Sequence, residues 1–151
     1  MNKEPIIIVA GEPNSVFFEI FFKSIKINRY KSPLIIIGSK ELLEKQMLKL
    51  GFFYKINTID KNFNNFEKLN NKMINLINVK YKFKNCFEDI STKSNNYIEE
   101  TFDVALKIII QNNFSKLING PISKKHFLKG KTLGITEYLA KKTKKKIMLR
   151  C

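Results

Sequence analysis

Short unbroken apolar runs alternate along this chain with segments in which apolar side chains recur every three or four positions, the pattern of buried parallel strands joined by amphipathic helices. Pro5-Ile6-Ile7-Ile8-Val9-Ala10 is the first such run, and its β-branched residues suit a strand covered on both faces. After Gly11-Glu12-Pro13-Asn14-Ser15, the set Phe17, Phe18, Phe21, Phe22 and Ile25 falls on one face of a helix, with Asn14 or Ser15 placed as its N-cap. Pro33-Leu34-Ile35-Ile36-Ile37-Gly38 repeats the strand signal. Ser39 then caps a second helix carrying Leu43, Met47 and Leu50 before Gly51 stops it. Tyr54 to Ile59 predicts a shorter strand, Asp60 to Lys72 an irregular connection with at most a short helix, and Met73 to Phe83 an edge strand or two. Between Ser94 and Gln111, Ile98, Phe102, Ala105 and Ile109 share one helical face. Lys116-Leu117-Ile118-Asn119 predicts a short strand closed by Gly120-Pro121, Thr136 a helix start that runs through Ala140, and Ile147-Met148-Leu149 a last strand. The whole reads as α/β: a mostly parallel sheet flanked by helices, with residues 1–151 forming one unit.

Composition narrows the function classes. With 44% apolar residues in 151, the chain can bury the core of one ordinary domain. Cys86 and Cys151 lie far apart without a CxxC pattern, no signal-like segment opens the chain, and runs such as Ile6 to Ala10 are too short to cross a bilayer. A cytoplasmic protein with no membrane attachment is expected. The net charge of +15 invites a nucleic-acid reading. Lysine is spread along the whole sequence, however, and arginine, which reads base edges with two donors at once, is scarce. Abundant Lys, Asn, Ile and Phe without Trp is how an A- and T-rich coding sequence spells an ordinary protein. Nucleic acid is therefore not the expected partner, and Lys141 to Lys146 reads as a solvated helix end.

Two loops follow the carboxyl ends of expected strands, where parallel sheets bind ligands. Gly11-Glu12-Pro13-Asn14-Ser15 leads into a helix N-terminus that favours anions, but one glycine meets neither the GxGxxG nor the P-loop spacing, and a capped turn explains the loop equally well. Gly120-Pro121-Ile122-Ser123-Lys124 is the stronger candidate, since Pro121 fixes the backbone and Lys124 brings a mobile ammonium to that mouth. Thr136 and Glu137 serve either as N-cap and first-turn acid or, in the case of Thr136, as a ligand contact. His126 has no second His or Cys at ligand spacing and no Ser-His-Asp setting around it, so it is expected at the surface or partly buried.

Taken together, Ile8-Val9-Ala10-Gly11-Glu12-Pro13 with Glu19, Pro33 to Gly38, Tyr97-Ile98-Glu99-Glu100-Thr101, Gly120 to Lys124 and Gly134-Ile135-Thr136-Glu137 resemble, in order and spacing, the amino-terminal part of the 4-hydroxythreonine-4-phosphate dehydrogenase family of pyridoxal phosphate biosynthesis. The resemblance implies part of a fold similar to isocitrate and isopropylmalate dehydrogenases. It also implies NAD-dependent oxidation and decarboxylation of 4-phosphooxy-threonine, a small phosphorylated substrate, a homodimer, and NAD with a divalent metal (zinc, magnesium or cobalt) as cofactors. The family's Gly-His-Thr-Glu stands here as Gly134-Ile135-Thr136-Glu137, so Thr136 carries over as a substrate contact, beside Lys124, while an apolar side chain replaces the imidazole. The first loop continues as Asn14-Ser15-Val16-Phe17-Phe18 where the family is glycine-rich. The family's histidine metal ligands and much of its NAD site belong to a later half, so no metal, catalytic or NAD-contacting residue is assigned. The chain is expected to be the front part of something larger and inactive alone. The alternative is a non-catalytic α/β module that holds a small phosphorylated molecule with Lys124, Thr136 and the first loop.

Overall fold

Residues 3–144 are described by the computed structural model, and within them the apolar runs form the strands of one sheet. In chain order the elements are β1 (Ile6–Val9), α1 (Phe17–Ile27), β2 (Leu34–Gly38), α2 (Lys40–Lys49), β3 (Ile56–Ile59), β4 (Ile74–Asn78), α3 (Asn95–Asn112), β5 (Leu117–Asn119) and α4 (Ile135–Thr143). Single 3-10 turns at Phe66–Lys68 and Thr92–Ser94 and a π-helical turn at Lys124–Leu128 complete the path. The five strands are parallel, in the order β3-β4-β2-β1-β5. The expected strand at 147–149, the end of the lysine run and Cys151 lie outside the described residues.

Burial follows the β-branched runs. Ile7 and Val9 of β1 and Ile35, Ile36 and Ile37 of β2 are wholly buried, as strands covered on both faces require. Parallel register sets Ile7 beside Ile35 on one side and beside Leu117 on the other. The stacked rings of Phe18 and Phe22 bring α1 onto the core, and α3 packs on β1 and β2 with Ile98, Phe102 and Ala105 wholly buried.

The helix signals hold with two shifts. Ser39 caps α2, its side chain accepting from Leu42 N at 3.2 Å, and Gly51 takes the left-handed φ of +74° that lets the chain leave the helix. For α1 the N-cap is Val16, not Asn14 or Ser15, although Ser15 Oγ still accepts a bond from Phe17 N at 3.3 Å. For α4 the N-cap is Gly134, and Thr136 sits inside the first turn.

The segment expected at a sheet edge is instead interior: β4 lies between β3 and β2. Its sequence, Ile74-Asn75-Leu76-Ile77-Asn78, places two amide side chains in that interior strand. Asn75 is nevertheless buried, because its amide donates to the carbonyls of Leu34 and Asn70 and its Oδ1 accepts from Asn57 of β3. A fully bonded amide removes the burial penalty that an isolated one would carry. Among the described residues no helix is long and apolar enough to cross a membrane.

Candidate functional site

The chain runs from β1 outward to β2 on one side, and β5 later returns to the other side of β1, so the strand order reverses between β1 and β5. At such a switch point the loops beyond the strand ends diverge and leave a crevice. Here those loops are the two singled out from the sequence, but they close on each other. Gly120 N donates to Val9 O at 2.7 Å and Glu12 N to Pro121 O at 2.8 Å. The approach is so tight that a Cβ on Gly120 would lie 2.1 Å from Ala10 O, and one on Gly11 would lie 2.6 Å from Pro121 O.

Inside the first loop the interior group is a carboxylate. Glu12 is 2% exposed, with Oε1 accepting from Asn14 N at 3.2 Å and Oε2 from Ser94 Oγ at 3.0 Å. The loop therefore carries its own negative charge where an anion would have to enter, and Glu12 fastens it to the start of α3. The turn is closed by its own side chains, Glu12 and Ser15, and a buried carboxylate there does not suit an anion cradle. Nearby, Tyr97 OH accepts from Ser39 N at 2.9 Å, and burial pushes the Tyr97 phenol well above its ordinary range. Tyr97 is a buried strut that joins α3 to the β2–α2 turn.

A further loop braces this arrangement from above. Glu88 N donates to Asn14 Oδ1, while the Glu88 carboxylate accepts from the backbone N–H groups of Asn85 and Lys84. Those bonds hold its pKa down at about 2, against an ordinary 4.5. A depressed folded-state pKa means that this contribution is complete above about 4.5 and disappears as pH falls toward 2. Glu88→Gln is expected to flatten the loss of stability over that acid interval, measured by denaturant midpoints at several pH values. Parallel curves for the two proteins would show that the loop does not report on Glu88.

On the outer side of the second loop lies a hollow of about 320 Å³, lined by Asn119, Gly120, Pro121, Ile122, Lys124, Leu128 and Ile135. Lys124 is exposed at its rim, as the sequence placed it. Ile135 from the start of α4 is part of the wall. Thr136, the next residue, is half-buried in the same turn and does not line the hollow. Glu137 fills the first-turn position expected of it, its carboxylate lying close to Gly134.

The turn that carries Lys124 was not legible in the sequence. Ser123 caps it, Oγ accepting from His126 N at 3.2 Å and lying 2.9 Å from His126 Nδ1. Ser123 and His126 thus meet, but as a cap: the hydroxyl is engaged with the turn it starts. Asn95 of α3 donates to the His126 carbonyl at 2.9 Å, a bond to the backbone and not to the ring. His126 is half-buried, as anticipated. Ser123 four positions before Phe127 was the only trace of this turn, and ordinary helix patterns do not distinguish a π-turn. Among the described residues no group of three or more His, Cys, Asp or Glu side chains could hold a metal ion. The residues present therefore do not fit the divalent cation implied above.

Five parallel strands flanked by helices, with a hollow beyond β5, define a protein of the α/β class with an isocitrate dehydrogenase-like fold. The chain belongs to the family of pyridoxal phosphate biosynthetic protein PdxA, whose model matches residues 29–151. Among solved structures it is similar to a 4-hydroxythreonine-4-phosphate dehydrogenase from Burkholderia phymatum, with a TM-score of 0.75 and 21% identity. The match covers 98% of this chain and 47% of that one, so the chain spans about half the length of the solved relative. A comparison with curated proteins found no match.

Proposed function

We propose that this chain is a 4-hydroxythreonine-4-phosphate dehydrogenase-like protein. In this reading it serves the NAD-dependent oxidation and decarboxylation of 4-phosphooxy-threonine in pyridoxine phosphate biosynthesis, contributing the wall that holds the anionic substrate and not turning it over by itself. The observation that carries this reading is the family match across residues 29–151, which includes both the β5 mouth and α4. The hollow beside β5 supports the assignment of roles. Among the described residues its walls are apolar apart from Asn119 and Lys124, and Lys124 is the one titratable group lining it. A single ammonium can attract and orient a phosphate or carboxylate, but it offers no paired acid and base for moving protons. Thr136, one residue beyond the wall, is proposed as a secondary hydroxyl contact from the uncapped start of α4.

The same lining favours a second reading, a binding module that holds a small phosphorylated ligand without chemistry. One pair of measurements separates the possibilities. Incubation of the purified chain with 4-phosphooxy-threonine, NAD and a divalent metal salt is expected to give no NADH above the blank, and NADH formation would overturn the claim that it is inactive alone. Calorimetric titration with the phosphorylated substrate is expected to show binding that Lys124→Gln weakens by about fivefold or more, the scale of one charge-assisted hydrogen bond. Unchanged affinity in that variant would remove Lys124 and the hollow from the site. Binding that persists with other phosphate monoesters at equal strength would favour the general module.

A further inference from the structure

At the opposite end of the sheet, beside the amino ends of β2 and β4, lies a larger cavity of about 460 Å³ that the proposed reaction does not use. Its floor is apolar and partly aromatic: Phe21 and Ile25 from α1, Leu34 from β2, Tyr54 before β3, and Met73 and Ile74 at the start of β4. Two cations line it, Arg29 in the α1–β2 loop and Lys72 just before β4. Among the described residues no acidic side chain lines it. Neither cation makes an ion pair with any described residue.

Hydrogen bonds tie the segments of its wall together. Asn71 Oδ1 accepts from Leu34 N at 2.8 Å, while its Nδ2 donates to Tyr30 O at 3.0 Å and to Ser32 O at 2.8 Å. One amide thereby fixes the loop carrying Arg29 to the segment carrying Lys72. Tyr30 OH is bonded to Ser24 Oγ, and Tyr54 OH donates to Phe22 O at 3.3 Å, so the two aromatic walls are anchored at their hydroxyl ends. Arginine is rare in this chain, and its guanidinium matches phosphate or carboxylate with two parallel donors, which a lysine does not.

We propose that this cavity binds a small aromatic anion, with its ring against Phe21, Tyr54 and Ile25 and its charged group between Arg29 and Lys72. Both halves of the chemistry are required. An apolar floor without charge would accept any hydrophobe, and two surface cations without a floor would bind any anion weakly. The site lies at the end of the sheet opposite Lys124, so ligand here can coexist with ligand at the β5 mouth.

Calorimetric titration of the full chain with phenyl phosphate, benzoate, inorganic phosphate and benzyl alcohol tests the proposal. Phenyl phosphate or benzoate is expected to bind at least about tenfold more tightly than inorganic phosphate or benzyl alcohol, and which of the two is preferred identifies the charged group. Arg29→Gln and Lys72→Gln, both solvent-facing changes, are each expected to weaken that binding about fivefold or more. Lys124→Gln is expected to leave it unchanged, which separates this site from the one proposed beside β5. Equal affinity for inorganic phosphate, a loss in Lys124→Gln as large as in Arg29→Gln, or no effect of Arg29→Gln would each overturn the proposal.

Discussion

Gly120→Ala is expected to cost this protein upward of about 3 kcal/mol, or to leave it insoluble. The added methyl would lie 2.1 Å from the carbonyl oxygen of Ala10, 2.8 Å from its carbon and 3.0 Å from the Phe17 ring. Two of those three atoms belong to the backbone of the β1 end, so no side-chain rotation relieves the clash. The sheet would have to part where β5 meets β1, breaking the 2.7 Å bond from Gly120 N to Val9 O. For a domain of this size the expected fall in Tm is about 10 °C, read by circular dichroism. Gly51→Ala and Gly130→Ala are the controls. Both positions have a left-handed φ, +74° and +72°, but a Cβ there meets nothing within 4 Å. They are expected to lose only about 1 kcal/mol each, from backbone strain alone. A Gly120 variant no worse than these would show that the two loops do not close on each other as described.

That contact also explains where sequence reasoning succeeded and where it stopped. The strands were legible because Ile6 to Val9 and Leu34 to Ile37 are unbroken apolar runs rich in β-branched residues, and few structures other than a buried parallel strand suit them. Helix α3 was legible because Ile98, Phe102, Ala105 and Ile109 recur at helical spacing on one face. The place of β4 was not. Asn75 looks like an edge residue until its partners on β3, at the start of β2 and just before β4 are known, and two of those three are distant in the chain. The same holds at the site. Glycine and proline marked both loops, yet only the fold brings Gly11 within reach of Pro121 or puts Ser94 beside Glu12. An interior carboxylate cannot be told from a surface one by its neighbours in sequence, and so the first loop read as a candidate anion site. Lys124 could be placed because it follows the strand end directly, whereas Thr136 depended on the path of a turn that no periodicity announces.

Phe102→Ala is expected to cost about 3–5 kcal/mol, the range for emptying a buried aromatic position, and to weaken ligand binding at the β5 mouth as well. Phe102 is wholly buried on α3, its ring 6.4 Å from Phe127 of the π-turn and 5.6 Å from Tyr138 of α4, while those two rings lie 5.1 Å apart. This cluster ties both elements that flank the hollow to the body of the protein. Ion pairs reinforce the tie, with Lys142 2.9 Å from Glu99 and 2.7 Å from Asp103, but exposed pairs of this kind contribute at most about 1 kcal/mol. The rings must therefore supply most of the attachment. Phe22→Ala provides the comparison, because Phe22 is equally buried but packs with Phe52 and Tyr54, away from the mouth. Both variants are expected to lose similar stability in denaturant unfolding. Only Phe102→Ala is expected to lose affinity for the phosphorylated substrate under conditions where the protein remains folded, together with amide protection across residues 124–143. Phe102→Leu, a milder change, is expected to show the same pattern at reduced size and keeps the comparison open if the alanine variant does not fold. Equal ligand affinity in the two folded variants would mean that α4 and the π-turn are held by something other than this cluster.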